Sequence, residues 1–479
     1  MMNLFKEDHR ITKIFGPPGT GKTTWILNKV DELLEQGVKP NRIALVSFTN
    51  KAVDEFIDRS LKRFSKYTRE DFPWFRTIHS LCNKCGDGRK ILSQQDLNKF
   101  ARSLGLEVSN YISLEDNSGT KPGDRLIQME NLARLKMISL QQIFDENDTE
   151  FSFSALEFWK QEYDKFKQER KVVDFTDLLS NFNSVLNVDY FFIDEAQDLS
   201  PLQWKVMEKA ATNALEIYIA GDDDQSIYSF AGADQQYFLD IYDKNDIVLS
   251  KSYRLPIKIF NKSKEILKNI KNRKEKNYVP NTNIEGTIKY ISSLNDVNFC
   301  KKESYLILLR NRWLAKNFSE ELKEQGVPFL IFGQNSMGDD LIKAILCWED
   351  WRKNPQASKS IITMLSKYCG SIRGEIPLDM RDVPWYEAFD LVDFYEKEYI
   401  RECLKNGFKL TEVPNIVIST IHQAKGGEAD NVIIVPTVSA SVYDNIESEN
   451  EHRVWYVAVT RAKSALYLIF PQNLMYYEL

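Results

Sequence analysis

The segment that most constrains the fold is a glycine-rich loop close to residue 20. Residues 11–27 read I-T-K-I-F-G-P-P-G-T-G-K-T-T-W-I-L, in which Gly16 to Thr23 fit the pattern G-x-x-x-x-G-K-[ST]. The apolar run before the loop is typical of a short buried strand, and residues 24–34 have apolar side chains at helical spacing. A strand, a glycine-rich turn and a helix in this order predict an α/β fold with a parallel sheet.

The same loop has the composition of a phosphate-binding site. Its glycines allow backbone N–H groups to point into one concavity, and the start of the next helix adds its positive dipole end. In this pattern the lysine, here Lys22, reaches the β- and γ-phosphates, and the hydroxyl of Thr23 holds Mg²⁺. The predicted nucleotide-binding residues are Gly16, Pro17, Gly19, Thr20, Gly21, Lys22, Thr23 and Thr24.

A second, acidic motif supplies the groups that hydrolysis requires. Residues 188–198 read V-D-Y-F-F-I-D-E-A-Q-D, in which an apolar strand is predicted to end at Asp194. An acid at that strand end can hold Mg²⁺ through water, and Glu195 beside it can orient and deprotonate the attacking water. A kinase or a small GTPase does not need this pair, so ATP hydrolysis is favoured. The alternative is an acidic loop without a catalytic role.

These two motifs lie far apart in the chain, which predicts an insertion between them. Residues 86–171 contain charged, helical segments such as S-A-L-E-F-W-K-Q-E-Y-D-K-F-K-Q-E-R, together with the loops G-D-G and S-G-T-K-P-G-D. We predict that they form an inserted, mostly helical subdomain.

Charge and apolar content restrict the class of protein. The formal net charge of −6 disfavours a sequence-blind coat for nucleic acid but allows a local basic groove. Residues 261–276, N-K-S-K-E-I-L-K-N-I-K-N-R-K-E-K, are either part of such a groove or a solvated helix face. The sequence has no apolar run that would span a membrane, and its first ten residues carry charges where a signal peptide is apolar. We therefore expect a cytoplasmic protein.

His79, Cys82 and Cys85 form H-S-L-C-N-K-C, a spacing that can begin a metal site. No second C-x-x-C or H-x-x-x-H follows in the sequence to complete a tetrahedral set. A metal role is therefore the weaker interpretation of these three residues.

A series of sequence blocks extends over nearly the whole chain. The loop is followed by V-S-F-T-N-K-A-V-D-E, T-I-H-S-L-C, V-V-D-F-T-D-L-L and F-F-I-D-E-A-Q-D-L-S-P-L-Q-W. The later blocks are A-G-D-D-D-Q-S-I-Y-S-F-A-G-A-D, K-S-Y-R-L-P, S-T-I-H-Q-A-K-G-G-E-A-D-N-V-I-I and V-W-Y-V-A-V-T-R-A-K. In content and order, these blocks resemble the UvrD/Rep/PcrA-like branch of superfamily 1 helicases.

The resemblance implies two RecA-like P-loop domains with parallel sheets, with ATP in the cleft between them and single-stranded DNA across the top. We predict the first RecA-like domain at residues 1–85 and 172–252 and the second at 253–351 and 411–479. Residues 352–410 would be a reduced form of the insertion that larger relatives carry.

The resemblance also implies roles in hydrolysis for residues outside the loop. Arg254 and Arg461 match the arginines that reach the γ-phosphate across the cleft, and Gln225 matches the sensor of that phosphate. Tyr253 matches an aromatic residue that stacks on adenine, and Glu428 a residue near the ribose. A charge supplied from another domain would make hydrolysis depend on domain closure.

Further residues match family positions that contact DNA. Tyr228 and Phe230 resemble base-holding aromatics, although core aromatics are the alternative. They follow Gln225 closely, so one loop would touch both ATP and DNA, and its three aspartates are expected to form a turn with a polar network. The predicted DNA contacts are Phe48, Thr49, Asn50, His79, Tyr228, Phe230 and His422, of which the two histidines alternatively link motifs.

The resemblance implies an ATP- and Mg²⁺-dependent translocase and helicase that moves 3′→5′ on single-stranded DNA and acts at junctions with duplex DNA. Two departures are Ala231, where many relatives have arginine, and the lack of glutamine in residues 1–15. With the reduced insertion, we expect a minimal translocase that either unwinds poorly alone or needs an accessory protein. The alternatives are an ATP-gated module that binds nucleic acid or a partner with little unwinding, and an enzyme directed to RNA.

Overall fold

The computed structural model describes residues 5, 8–47, 50–109, 121–147, 149–241, 245–471 and 473–479. Its chain divides into two compact units. The first comprises Met1–Ile284 with Glu447–Tyr456, and the second Glu285–Ile446 with Val457–Leu479.

The first unit is built around a parallel sheet. The strands of this unit, which include two short pairs outside the sheet, are β1 (Ile11–Phe15), β2 (Ile43–Ser47), β3 (Phe75–Thr77), β4 (Lys90–Ile91), β5 (Val172–Val173), β6 (Tyr190–Ile193), β7 (Glu216–Gly221), β8 (Ile247–Val248), β9 (Lys251–Pro256) and β10 (Val279–Asn281). Among the described residues, β3, β2, β6, β7, β1 and β8 lie side by side in that order, all parallel. The residues that follow β6, β7 and β1 therefore emerge at one edge of the sheet.

Helices cover both faces of this sheet. The helices of the unit as a whole are α1 (Lys22–Glu35), α2 (Asn50–Arg63), α3 (Ile78–Cys85), α4 (Gln94–Ser103), α5 (Pro122–Lys136), α6 (Leu140–Asp145), α7 (Phe153–Arg170), α8 (Phe175–Ser180), α9 (Pro201–Ala210), α10 (Gln235–Leu239) and α11 (Ile257–Leu267). All five residues of β2 are buried; Ile43 and Leu45 pack into one apolar core, and Ala44 and Val46 into another. Burial of both faces explains why the strand is apolar throughout and does not alternate.

Helices α4 to α7 have an apolar core of their own, which includes Phe100, Ile143, Leu156 and Trp159. The predicted helical subdomain at 86–171 contains these helices. Strands β4 and β5 pair in parallel, so the two ends of this helical segment meet.

Residues 253–284 belong to the first unit, whereas we predicted a second domain from residue 253. The physical reason is a set of direct contacts with the glycine-rich loop. Ser252 Oγ donates to Pro18 O at 2.7 Å, and Tyr253 N donates to Gly19 O at 2.8 Å. Strand β10 then pairs with β9, which keeps the following segment in the same unit.

The second unit has its own sheet. Its strands are β11 (Thr287–Ile291), β12 (Tyr305–Leu309), β13 (Leu330–Ile331), β14 (Gln334–Asn335), β15 (Ile416–Thr420), β16 (Ala429–Val435) and β17 (Ala462–Ile469). The described strands run in the order β11, β17, β16, β12, β15, β13, β14, and all neighbours are parallel except β13 and β14.

The helices of this part are α12 (Ala315–Glu324), α13 (Asp339–Lys353), α14 (Lys359–Leu365), α15 (Trp385–Ala388), α16 (Phe394–Lys405), α17 (Ala440–Tyr443) and α18 (Glu449–Val459), whose first residues belong to the first unit. Residues 352–410, predicted as a reduced insertion, contribute Leu365, Trp385 and Ile400 to the same core as Ile307 and Ile418 of the sheet.

The predicted α/β fold class is confirmed: the described strands form two main sheets, parallel except for the β13–β14 pair, with additional helices. No helix in the described part of the chain is long and apolar enough to cross a membrane.

Candidate active site

The glycine-rich loop connects β1 to α1 through a tight turn. Gly16 N donates to Gly221 O at 2.9 Å, which ties the loop to the end of β7. Gly19 and Gly21 have φ angles of 70° and 83°, a left-handed backbone that other residues rarely adopt. Helix α1 begins directly after the loop, with Thr23 half-buried and Thr24 exposed in its first turn. A helix N-terminus in this position favours an anion such as a phosphate.

Lys22 lies against the acid pair that follows β6. Its Nζ donates to Glu195 Oε1 at 2.7 Å and lies 3.9 Å from Asp194 Oδ1. Burial alone would lower the pKa of Lys22, but the two carboxylates outweigh this effect and raise the pKa. The structure thus brings together the loop lysine and the acid pair.

The Asp194 carboxylate is suited to hold a metal ion that is bound to the phosphates of a nucleotide. Burial raises the pKa of this residue to about 6, although the charge of Lys22 opposes the shift. Among the described residues, no group donates a hydrogen bond to its Oδ1. A carboxylate oxygen that accepts no hydrogen bond, beside the loop, fits a Mg²⁺ ion held through water, and the Thr23 hydroxyl would be a second oxygen ligand. The described residues include no cluster of three or more His, Cys, Asp or Glu side chains that could hold a metal ion.

Glu195 is held by both of its carboxylate oxygens. Oε1 accepts from Lys22, and Oε2 accepts from Gln197 Nε2 at 2.6 Å. Its backbone has a φ of 55°, which is unusual for a residue with a side chain and is typical of functional sites. The side chain is nevertheless 33% exposed, so water can reach it.

Gln197 connects the acid pair to the loop that follows β7. Its Oε1 accepts from Asp222 N at 2.9 Å, and Asp222 Oδ2 accepts from Gln225 Nε2 at 2.7 Å. Hydrogen bonds therefore continue from Lys22 through Glu195 and Gln197 to Gln225. No sequence signal predicted this connection between two of the blocks.

The three aspartates of this loop are fully buried. Lys276 Nζ lies within 2.9 Å of a carboxylate oxygen of each, Asp222, Asp223 and Asp224. Arg273 adds two hydrogen bonds to Asp224, both 2.6 Å long. The expected turn with a polar network is confirmed, and its counter-charges come from a distant segment.

That segment is the end of the basic run at 261–276. Helix α11 ends at Leu267, and the chain then turns so that the side chains of Arg273 and Lys276 lie inside the protein. Neither a solvated helix face nor an open basic groove describes these two residues.

Tyr253 and Arg254 lie next to the glycine-rich loop. The Tyr253 ring is 68% exposed, as a platform for a base requires, and Lys251 Nζ is 5.5 Å from its centre. A methyl group placed on Gly19 would approach Arg254 Cβ to 2.3 Å. Arg254 thus lies in the same compact unit as the loop.

The predicted residues of the second unit are Arg461, Glu428 and His422. Arg461 is 2% exposed and donates to Val457 O and Gly427 O, whereas Glu428 is exposed. His422 is 1% exposed, and burial, together with two nearby cations, lowers its pKa well below the usual value. A buried, neutral histidine fits the role of linking motifs better than that of contacting DNA.

Tyr228 and Phe230 are both half-buried. This exposure is intermediate between that of an open base-holding aromatic and that of a core aromatic, the two alternatives for these residues. Their ring centres lie 6.0 Å apart in an edge-to-face arrangement. His79 is also half-buried, and its ring meets Phe175 edge-on at 5.6 Å. Phe175 is 57% exposed. It lies in the block V-V-D-F-T-D-L-L, but the sequence predicts no role for it.

Asn50 is exposed at the start of α2 and lines a cavity of about 750 Å³. The basic side chains around this cavity are Arg69, Arg76 and Lys84. The adjacent Phe48 and Thr49, also predicted to contact DNA, lie outside the described residues.

Comparison with known proteins supports the interpretation of the motifs. The family model described as the UvrD/REP helicase N-terminal domain matches residues 4–246, and that of the UvrD-like helicase C-terminal domain matches residues 382–473. A "Probable DNA helicase II homolog" from Mycoplasma capricolum is 26% identical over 461 residues, which cover 86% of this chain and 62% of the relative.

Two further relatives have a similar percentage of residues identical to this chain. A "Putative ATP-dependent DNA helicase YjcD" from Bacillus subtilis is 22% identical over 95% of this chain and 76% of its own length. An "ATP-dependent DNA helicase PcrA" from Staphylococcus aureus is 24% identical over 68% of this chain and 49% of its own length. The chain therefore spans between about half and three quarters of the relatives that it matches.

Proposed function

Because the chain belongs to the UvrD/REP helicase family, we propose that it is an ATP- and Mg²⁺-dependent DNA helicase that moves 3′→5′ along single-stranded DNA. The observation that carries this proposal is the set of hydrogen bonds from Lys22 through Glu195 and Gln197 to Gln225. It joins the phosphate-binding loop to the loop that bears Tyr228 and Phe230.

In this scheme the glycine-rich loop and Lys22 bind the phosphates of ATP, and Tyr253 stacks on the adenine. Thr23 and Asp194 would hold Mg²⁺, which neutralises charge on the β- and γ-phosphates when bound. Glu195 accepts the proton of the attacking water. Arg254 and Arg461 stabilise the charge that develops on the γ-phosphate.

DNA binding is assigned to exposed and half-buried groups of the first unit. Tyr228 and Phe230 stack on bases, and stacking is insensitive to base identity, which suits a protein that steps along any sequence. His79 and the exposed Phe175 form a second aromatic position, and Asn50 lies beside the basic cavity. Junctions of single- and double-stranded DNA would be the substrate, and an accessory protein would promote unwinding.

The test is steady-state ATP hydrolysis by the full chain with and without single-stranded DNA, with single-stranded RNA and blunt duplex DNA for comparison. We expect single-stranded DNA to stimulate turnover most strongly. Lys22→Ala is the control for contaminating ATPases, because without the lysine the β- and γ-phosphates lose their main cation. Normal turnover in this variant would contradict the assignment of the phosphate-binding loop.

Unwinding is measured next, on partial duplexes with either a 3′ or a 5′ single-stranded tail. Separation of only the 3′-tailed substrate is expected for 3′→5′ movement. Stimulated turnover without strand separation on either substrate would favour the ATP-gated binding module instead.

A further inference from the structure

Lys276 lies at the centre of a buried charge cluster to which the hydrolysis scheme assigns no role. Its side chain is 0% exposed, and Nζ is 2.8 Å from Asp222 Oδ1 and 2.9 Å from Asp224 Oδ2. It also contacts a carboxylate oxygen of Asp223. A lysine that has left water entirely requires partners of this kind, and three adjacent carboxylates require the lysine.

Asp222 uses its two oxygens for different partners. Oδ1 faces Lys276, and Oδ2 accepts the hydrogen bond from Gln225 Nε2 at 2.7 Å. Its backbone N–H is held by Gln197. With one oxygen fixed by a buried cation, the other can hold the Gln225 amide in a single orientation.

Two arginines hold the rest of the loop. Arg273 binds Asp224 through two hydrogen bonds of 2.6 Å. Arg453 is 0% exposed; its Nε donates to Asp223 O at 3.1 Å, and its terminal nitrogen donates to Asn272 O at 2.7 Å. Arg273 pairs with the Asp224 carboxylate, and Arg453 holds only the backbone of Asp223, so Lys276 is the cation that contacts the carboxylates of both Asp222 and Asp223.

We propose that Lys276 is a positioning residue for ATP hydrolysis, which acts through Asp222 to fix the amide of Gln225. This inference rests on the proposed function, in which Gln225 senses the γ-phosphate. If the proposal is correct, loss of Lys276 lowers the rate of the chemical step more than it weakens the binding of ATP. A lysine that only supports the fold would instead affect both quantities, because the protein would be less stable.

The variants are Lys276→Met, Asp222→Asn and the combination of both. Asparagine has one oxygen, so it cannot face Lys276 and accept from Gln225 at the same time, although it keeps the shape of the side chain. Lys271→Met is the matched control, because Lys271 belongs to the same segment and is exposed. Each protein is assayed for kcat with oligothymidylate, for binding of the fluorescent analogue mantATP with Mg²⁺, and for thermal unfolding.

We expect kcat to fall about tenfold to a hundredfold in Asp222→Asn and Lys276→Met, as for other small misplacements of a reacting group, with mantATP affinity within about twofold. The double variant should be no slower than the slower single variant, because both changes break the same connection from Lys276 through Asp222 to Gln225. Lys271→Met should match the wild type. Additive losses in the double variant would overturn the proposal.

If Lys276→Met does not fold, Asp222→Asn decides the question. A folded Asp222→Asn protein with wild-type kcat would overturn the inference and leave the proposed function intact. Absence of ATP turnover in the wild type itself would instead overturn the proposed function.

Discussion

Lys22 Nζ and Glu195 Oε1 lie 2.7 Å apart, although they belong to motifs that are distant in the sequence. The contact fixes one oxygen of a carboxylate whose side chain is still 33% exposed. Glu195 is therefore both anchored and accessible, the two conditions that a general base for water must meet.

Glu195→Gln is expected to retain the shape of the site and lose the base. We expect kcat for ATP to fall by about 10²–10⁴, the usual contribution of a positioned general base, with mantATP affinity close to that of the wild type. Steady-state turnover and equilibrium binding measure the two effects. Glu169→Gln, an exposed glutamate on α7, is the matched control. Turnover near the wild-type rate in Glu195→Gln would assign the base elsewhere.

The combination of Tyr228→Ala and Phe230→Ala is expected to uncouple DNA from hydrolysis. Base stacking contributes roughly 1–3 kcal/mol per base, so loss of both rings should weaken DNA-stimulated turnover at least tenfold. Basal turnover should change little. Activity is measured over a range of oligothymidylate concentrations.

The matched control for the aromatic pair is Phe394→Ala with Tyr395→Ala. These rings also meet edge-to-face, at 5.7 Å, but are exposed on α16 of the second unit. They should be dispensable for DNA stimulation. Equal losses of basal and stimulated turnover on removal of Tyr228 and Phe230 would mean that those rings support the core.

The raised pKa of Asp194, about 6, predicts how the site responds to pH. The carboxylate is charged above that pH and protonated below it, and a protonated acid is a poor metal ligand. Turnover at limiting Mg²⁺ should therefore decline as pH falls through about 6, and saturating Mg²⁺ should move the midpoint lower. Asp194→Asn should be weakly active at every pH. A midpoint that does not respond to Mg²⁺ would exclude this role.

The raised pKa of Asp194 also affects the stability of the folded protein, and this effect has the opposite pH dependence to its effect on turnover. Between the ordinary value of 3.8 and about 6, the folded state binds more protons at Asp194 than the unfolded state does. The contribution of this group to the free energy of unfolding is therefore larger at low pH and decreases as pH rises through that window. Comparison of wild type and Asp194→Asn by urea unfolding at several pH values measures this contribution.

Gly19→Ala is expected to damage nucleotide binding beyond its effect on stability. The new methyl group would meet Arg254 Cβ at 2.3 Å, so β9 would have to move away from the loop. Gly37→Ala is the matched control: its φ of 88° is equally left-handed, but its surroundings are open. Both variants should lose about 1–2 kcal/mol from the strained backbone. Only Gly19→Ala should bind mantATP markedly more weakly, and equal binding by both would contradict the predicted clash.

The sequence predicted the parts of the site that are encoded locally. A strand followed by glycines and a helix determines its own geometry, and Asp194 and Glu195 come directly after a strand of the same sheet. Because the carboxyl ends of parallel strands share one edge, the meeting of Lys22 with the acid pair was a reasonable expectation.

The sequence did not predict the parts that depend on long-range charge pairing. Arg273 and Lys276 come from a run of mostly lysine and asparagine, a composition that usually indicates a solvated surface. Their partners are three aspartates some fifty positions earlier, and composition does not reveal that these acids are buried. The contact of β9 with the glycine-rich loop is also long-range, and it consists of hydrogen bonds from Ser252 and Tyr253 to loop carbonyls, which composition does not reveal either.

The place of Arg453 has a consequence for synthesis of the protein on the ribosome. The acidic loop is made early, but strands β11 to β16 of the second unit are translated before the segment that contains Arg453. Nascent domains tend to fold as soon as their sequence emerges. The first unit can therefore begin to fold around its sheet, yet it must wait for a late piece of chain to complete its charged interior. Until then the unfinished unit is the species that chaperones would encounter.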